Sequence, residues 1–225
     1  MISDSTARAD ILLKIRLAAG SHSDALETEY AALPRTYRQQ GTSDRAAVLT
    51  MFTNRLRDYD AGVYRCNAAE IAETVAAAMD ARGKTSLLRT GKLPQEWLPA
   101  KFRFFASDVR NANPSRDDLA WFAEVDQSEG VITGCFAAVA FTGTIILRHE
   151  DGNGSRALTL IPDYHLCVVL ADQIVETVPE GLARLKGFET MPITTISGPS
   201  ATADIEMTRV KGVHGPRFLD VIIVG

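Results

Sequence analysis

Near the carboxy terminus, Val221-Ile222-Ile223-Val224 places four branched apolar residues in succession. A strand with one wet face alternates polar and apolar residues, so a run without alternation belongs to a strand buried on both faces, as at the centre of a parallel α/β sheet. The rest of the chain must then cover both sides of that strand. With 225 residues, 46% of them apolar and 23% charged, it has the material for such a core without disulfide or metal staples.

The middle of the chain follows the same plan. Residues 62–66 are β-prone, Asn67 with Glu70 has the form of an N-terminal helix cap, and Ile71, Val75, Ala78 and Met79 recur at helical spacing before Gly83. Strands at 84–89 and 102–105 follow, separated by a turn at 94–97. Strand, helix, strand in this order predicts parallel pairing with right-handed crossovers. Upstream, a helix begins after Ser43 with Val48, Met51, Phe52, Arg55, Leu56 and Tyr59 on one stripe, which reads as a core-facing surface and not as a cofactor box. Residues 5–33 are helical, with Ile11, Leu12 and Ile15 on one face and a break at Gly20. The expected organisation is a helical leader over 1–42 and a single α/β domain over 43–225. In the second half the pattern predicts strands at 144–148, 158–161, 165–170, 173–175, 193–197 and 219–224, a turn at 151–154 and a helix opened by Pro179.

Charge and cysteine usage narrow the function. The chain carries 24 Lys plus Arg against 28 Asp plus Glu, a net charge of -4, which argues against general nucleic-acid binding. Cys66, Cys135 and Cys167 are widely spaced, as in a reducing cytoplasm, and are too few for an iron–sulfur centre. Asp4 and Asp10 stand where a signal peptide needs positive charge and then an apolar core. The longest apolar stretch, 135–141, is seven residues, far below the roughly twenty of a membrane span. A cytoplasmic protein acting on small molecules or other proteins is the expectation.

Three glycine-bearing segments could carry chemistry. Ser197-Gly198-Pro199-Ser200-Ala201-Thr202-Ala203-Asp204-Ile205-Glu206 reads as a strand followed by a turn into a helix, aiming backbone N–H groups and the hydroxyls of Ser200 and Thr202 over the carboxyl edge of the sheet. Asp204 and Glu206 in a first helical turn would repel a bare phosphate, so a hydroxyl-rich ligand fits better; a capped helix with acids placed for stability explains the same pattern. Lys211-Gly212-Val213-His214-Gly215-Pro216-Arg217 presents His214 as the acid–base candidate, although a histidine in a glycine turn also serves to hold the loop. Thr142-Gly143-Thr144 offers hydroxyl and backbone donors, and Arg156 a bidentate clamp for an anion. His165 and Cys167 alternate on a strand without further ligands at metal spacing, which assigns them a buried structural role and leaves the chain with no metal site.

Taken together, Val131-Ile132-Thr133-Gly134-Cys135, Thr142-Gly143-Thr144-Ile145, the segment from Arg156 to His165 and the two carboxy-terminal loops resemble the lactate-utilisation (LutC/YkgG, LUD-domain) family. The likeness spans residues 50–225 and is closest in Ser197-Gly198-Pro199-Ser200-Ala201-Thr202-Ala203-Asp204-Ile205-Glu206 and Gly212-Val213-His214-Gly215-Pro216. It implies an α/β fold with a three-layer, parallel-rich sheet, as shared by glucosamine-phosphate deaminase, ribose-phosphate isomerase and CoA transferases (NagB/RpiA/CoA-transferase-like). It also implies a place beside two iron–sulfur partner proteins that oxidise L-lactate to pyruvate, this chain being the component without cluster-binding cysteines. One departure is Phe141, where the family carries an acidic residue. An apolar ring neither accepts a proton nor coordinates a cation, so either Asp204 supplies the acid or the position serves packing.

The leading reading is therefore an accessory or substrate-binding subunit of a lactate-oxidising system. In it Thr142, Gly143, Thr144, Arg156, Gly198, Ser200, Thr202 and Gly215 surround a small carboxylate, and Asp204 and His214 handle its hydroxyl proton. The alternative is a stand-alone enzyme or binding protein for a small phosphorylated or CoA-like anion. A third reading makes the chain an interaction protein with the stripe from Val48 to Tyr59 as its docking face.

Overall fold

The structure, a computed structural model, describes residues 4–20, 24–90, 93–106, 116–149, 156–188, 190–203, 209–212 and 214–225. The chain forms two compact units, Met1–Tyr37 and Arg38–Gly225. The first contains α1 (Asp4–Ala19) and α2 (Asp24–Ala32). In the second, α3 (Arg45–Asp58) leads into β1 (Gly62–Cys66), α4 (Ile71–Ala81), β2 (Ser86–Arg89), β3 (Arg103–Ala106) and α5 (Arg116–Asp126). Then come β4 (Val131–Thr133), β5 (Ala137–Val139), β6 (Thr144–Arg148), α6 (Arg156–Leu160), β7 (Tyr164–Leu170), β8 (Ile174–Val175) and α7 (Val178–Ala183). The chain closes with β9 (Ile193–Ile196), β10 (Ala201–Ala203), β11 (Arg209–Lys211) and β12 (Phe218–Val224).

Six strands form one sheet in the order β1-β12-β7-β4-β2-β3, and every pairing in it is parallel. The apolar run in β12 is explained by its position. Val221 and Ile223 face Phe52 and Leu56 of α3, while Ile222 and Val224 pack in the opposite cluster with Val75 and Met79 of α4. The helices begin where their caps dictate. Asp44 accepts a hydrogen bond from the Ala47 amide at 2.8 Å to start α3. Asn67 and Glu70 form a reciprocal capping box ahead of α4, and Thr177 with Glu180 forms another at α7. The stripe proposed as a docking face is spent inside the chain, since Val48, Leu49, Phe52 and Leu56 are buried against both sheets. The interaction-protein reading loses its surface.

A second sheet, β8-β5-β6-β9, lies on the α3 side of the first; its β5–β6 and β6–β9 pairings are antiparallel and its β5–β8 pairing parallel. Ala138, Ile145 and Leu147 from it join Cys167, Val169 and Val221 in one core. Its outer face, with Val139 and Ile146, receives Gly181 of α7, where an added Cβ would stand 2.6 Å from Val139.

Two local expectations change. Residues 158–161 belong mostly to the one-turn helix α6, because Leu158 must reach Leu88, Val125 and Val131, and a segment as short as Leu158-Thr159-Leu160-Ile161 does not distinguish the two periods. The helical turn expected at 204–206 lies outside the described residues; the segment directly after Ser200, 201–203, is a strand. This is β10, whose backbone pairs antiparallel with β11, Thr202 opposite Val210. The turn expected at 151–154 lies outside the described residues.

At the start of β12, Asp220 is fully buried and anchors the sheet's amino-terminal end. Arg82 holds it with two bonds, at 3.0 and 2.6 Å, and the Tyr164 hydroxyl donates to Oδ2 at 3.0 Å. Gly62 is required beside it, as an added Cβ would lie 2.1 Å from Asp220 Oδ1.

Candidate functional site

The cleft is assembled by two loops that hold each other. After β9 the chain turns at Gly198, whose φ of +85° and close approach to Tyr59 exclude a side chain: an added Cβ would stand 2.4 Å from Tyr59 Cβ. Ser200 then bonds the second loop three times. Its amide donates to the Pro216 carbonyl at 2.8 Å, its carbonyl accepts from the Gly212 amide at 3.0 Å, and its Oγ accepts from the His214 amide at 3.0 Å. Accepting at Oγ leaves the Ser200 hydroxyl proton for a ligand.

These loops close one side of a cleft of about 280 Å³. Its other walls are Arg156, Thr159 and Leu160 of α6, residues 194–196 of β9, and His165 and Leu219, the second residues of β7 and β12. His165 and Leu219 are register partners at the amino-terminal ends of these strands, so the cleft opens there and not at the carboxyl edge expected from the sequence. The reason is that loop 197–200 follows a strand of the second sheet, not of the parallel one.

Of the residues singled out from the sequence, Arg156, Gly198, Ser200, His214 and Gly215 line this one cleft. Thr142, Gly143 and Thr144 do not. They form the turn between β5 and β6, with Gly143 packed on the backbone of Arg55. The Thr142 hydroxyl meets that of Thr144 at 2.7 Å, and Thr144 meets the Ser197 hydroxyl at 2.8 Å. This chain braces the cleft wall from behind. Phe141 is exposed, and its carbonyl accepts from Arg55 Nε at 3.2 Å. Thr202 lies in β10, and Asp204 falls outside the described residues.

The cleft favours an anion. Among the described lining residues there is no carboxylate, and Arg156 brings the formal positive charge. Arg156 is exposed and reaches Thr194 Oγ1 at 3.4 Å, a hydroxyl that also meets His149 Nε2 at 2.5 Å. Arg217, a second cation in the loop, is committed to Asp163 through two bonds at 2.5 and 2.9 Å. The Arg217 guanidinium holds the Asp163 carboxyl below its usual range, while that carboxylate raises Arg217.

His214 is exposed in its glycine turn and holds the loop through its amide. The other histidine of the cleft, His165, was assigned only a structural role from the sequence. It is buried, yet it is among the residues that line the cleft, with Nε2 2.8 Å from Thr133 Oγ1. Burial pushes its pKa down to about 4, so the ring is neutral at physiological pH. The signal was its place at the first residues of a strand, directly after Pro162-Asp163-Tyr164. Thr159 and Thr194 were missed because nothing in their local pattern sets them apart from other hydroxyls.

A parallel α/β core with a second sheet, and a cleft made by the Ser-Gly-Pro-Ser and His-Gly-Pro loops, define the class: the chain belongs to the LUD-domain family, whose profile matches residues 49–224. Among individual relatives, it is 40% identical to Lactate utilization protein C of Deinococcus radiodurans over 226 aligned residues, 99% of this chain and 98% of the relative. It is 32% identical to Lactate utilization protein C of Shouchella clausii over 57% of this chain and 60% of that one. The crystal structure of a DUF162 family protein from Deinococcus radiodurans superposes with a TM-score of 0.66 at 35% identity, covering 82% of this chain and all of that one. No helix among the described residues is long and apolar enough to cross a membrane.

Proposed function

We propose that this chain is the substrate-binding component of a lactate-utilisation system, holding a small carboxylate in the cleft while iron–sulfur partner proteins carry the electrons. The carrying observation is a small cleft with one arginine, a ring of hydroxyls and no carboxylate among its described lining residues. Full-length similarity to a relative named Lactate utilization protein C supports the pathway. A volume of about 280 Å³ lies at the small end of ligand pockets, about 300–1,000 Å³. That suits a three-carbon acid and cannot enclose CoA. In this reading Arg156 pairs with the carboxylate and the Ser200 hydroxyl donates to it. The cysteines support placing the redox centres in partners: Cys135 and Cys167 fill the apolar core, and burial raises both thiols, Cys167 to about 12.

Calorimetric titration with L-lactate, pyruvate and glucose 6-phosphate tests the proposal. Lactate or pyruvate is expected to bind saturably, and Arg156→Ala to weaken binding at least about tenfold, as for loss of a charged hydrogen bond. Binding of the phosphosugar alone would transfer support to the phosphorylated-ligand reading. No binding by any of the three would refute a ligand site and leave a scaffold.

A further inference from the structure

The cleft's buried histidine carries more than packing. Resting on the reading of the cleft as a site for lactate or pyruvate, we infer that His165 is a positioning residue that meets the C2 oxygen of that acid, with Thr133 setting which tautomer the ring presents. His165 lines the cleft and its Nε2 is engaged by Thr133 at 2.8 Å, which leaves Nδ1 as the ring nitrogen for a ligand. Two arrangements satisfy the Thr133 contact equally. When Nε2–H donates to Thr133 Oγ1, Nδ1 carries a lone pair and accepts from an alcohol O–H. When the Thr133 hydroxyl rotates and donates to Nε2, Nδ1 carries the proton and donates to a carbonyl oxygen. A hydroxyl rotor and a neutral imidazole thus bind both oxidation states of one carbon skeleton, with no net gain or loss of a proton. An imidazolium could only donate and could not accept the alcohol proton, and burial keeps the ring neutral. Thr133 is itself buried. Arg156 of α6, in the lining of the same cleft, supplies the carboxylate contact. The two polar ends of a 2-hydroxy acid therefore have partners on different elements of the same cleft.

The test uses the full chain labelled with ¹⁵N-histidine, titrated with pyruvate and with L-lactate while imidazole nitrogen shifts are recorded. His165→Gln assigns the resonance. Pyruvate is expected to move His165 Nδ1 towards the protonated position and L-lactate towards the unprotonated one, each with the midpoint seen by calorimetry. Thr133→Val, which keeps the side-chain shape, is expected to weaken both acids about three- to tenfold, the value of one net hydrogen bond. If the acids bind through Arg156 but the His165 nitrogens stay still and Thr133→Val binds as wild type, the inference falls and the cleft reading stands. If neither acid binds, both fall.

Discussion

Replacing His165 with glutamine separates the charge state of the ring from its packing, because the glutamine amide reaches the same depth as Nε2 and can keep the Thr133 contact. The ring titrates near 6.5 when the chain is unfolded and at about 4 when folded. Between these values the unfolded state binds more protons, so stability is complete above the unfolded pKa and is lost as pH falls towards the folded one. Integrating the two titrations from pH 7 to pH 4.5 gives a loss of about 2 kcal/mol for this one group. Asp163 and Glu129 are present in both proteins and cancel in the comparison. The Arg217 contact lowers Asp163, and donors from Thr85 and Ser86 outweigh burial to lower Glu129. Their contributions are therefore kept above the unfolded carboxylate values and are lost only in more acid solution. The other histidines are present in both proteins and cancel. Urea unfolding at pH 7, 6, 5 and 4.5 is the assay, and with a slope of about 2 kcal/mol/M the wild-type midpoint moves about 1 M further than that of His165→Gln. Parallel profiles for the two proteins would refute the claim that burial holds this ring neutral.

Two further substitutions test the frame around the site. Asp220→Asn removes the charge that Arg82 and Tyr164 were built around, and is expected to cost about 3–5 kcal/mol as for a broken buried pair. That lowers the thermal midpoint by roughly 10 °C; Arg82→Met in the same chain should recover part of the loss, and a midpoint unchanged by Asp220→Asn in calorimetry would remove the anchor. Gly198→Ala forces a side chain into a left-handed turn against Tyr59, at a cost of about 1–3 kcal/mol. Urea unfolding measures that cost, and calorimetric titration should show weaker pyruvate binding as the Ser200 loop shifts; unaltered values in both would mean the loop tolerates the contact.

The sequence read most clearly where local chemistry and burial agree. Asn67 with Glu70 announced a cap that the structure forms, and the Val48 to Leu56 stripe announced a helix that packs inward. The run at 221–224 marked a central strand because its two flanks are the two core faces. Residues 158–161 and 201–203 misled for one reason: short segments take whichever backbone partner the surroundings offer, a core pocket for Leu158 and the β11 edge for Ala201–Ala203. The site was legible in its loops. Arg156, Gly198, Ser200, His214 and Gly215 converge on one cleft, whereas Thr142 and Thr144 support it from behind.

By itself, the sequence determined the class of the fold, the family and the two loops, because hydrophobic period, capping and glycine turns act over a few residues. Only the tertiary structure decided that the strands divide between two sheets, that the cleft sits at the amino-terminal end of the parallel one, and that His165 belongs to it. Those facts depend on which strand edges find each other. His165 and Thr133 are 32 positions apart, and β7 pairing with β4 brings them within hydrogen-bonding distance.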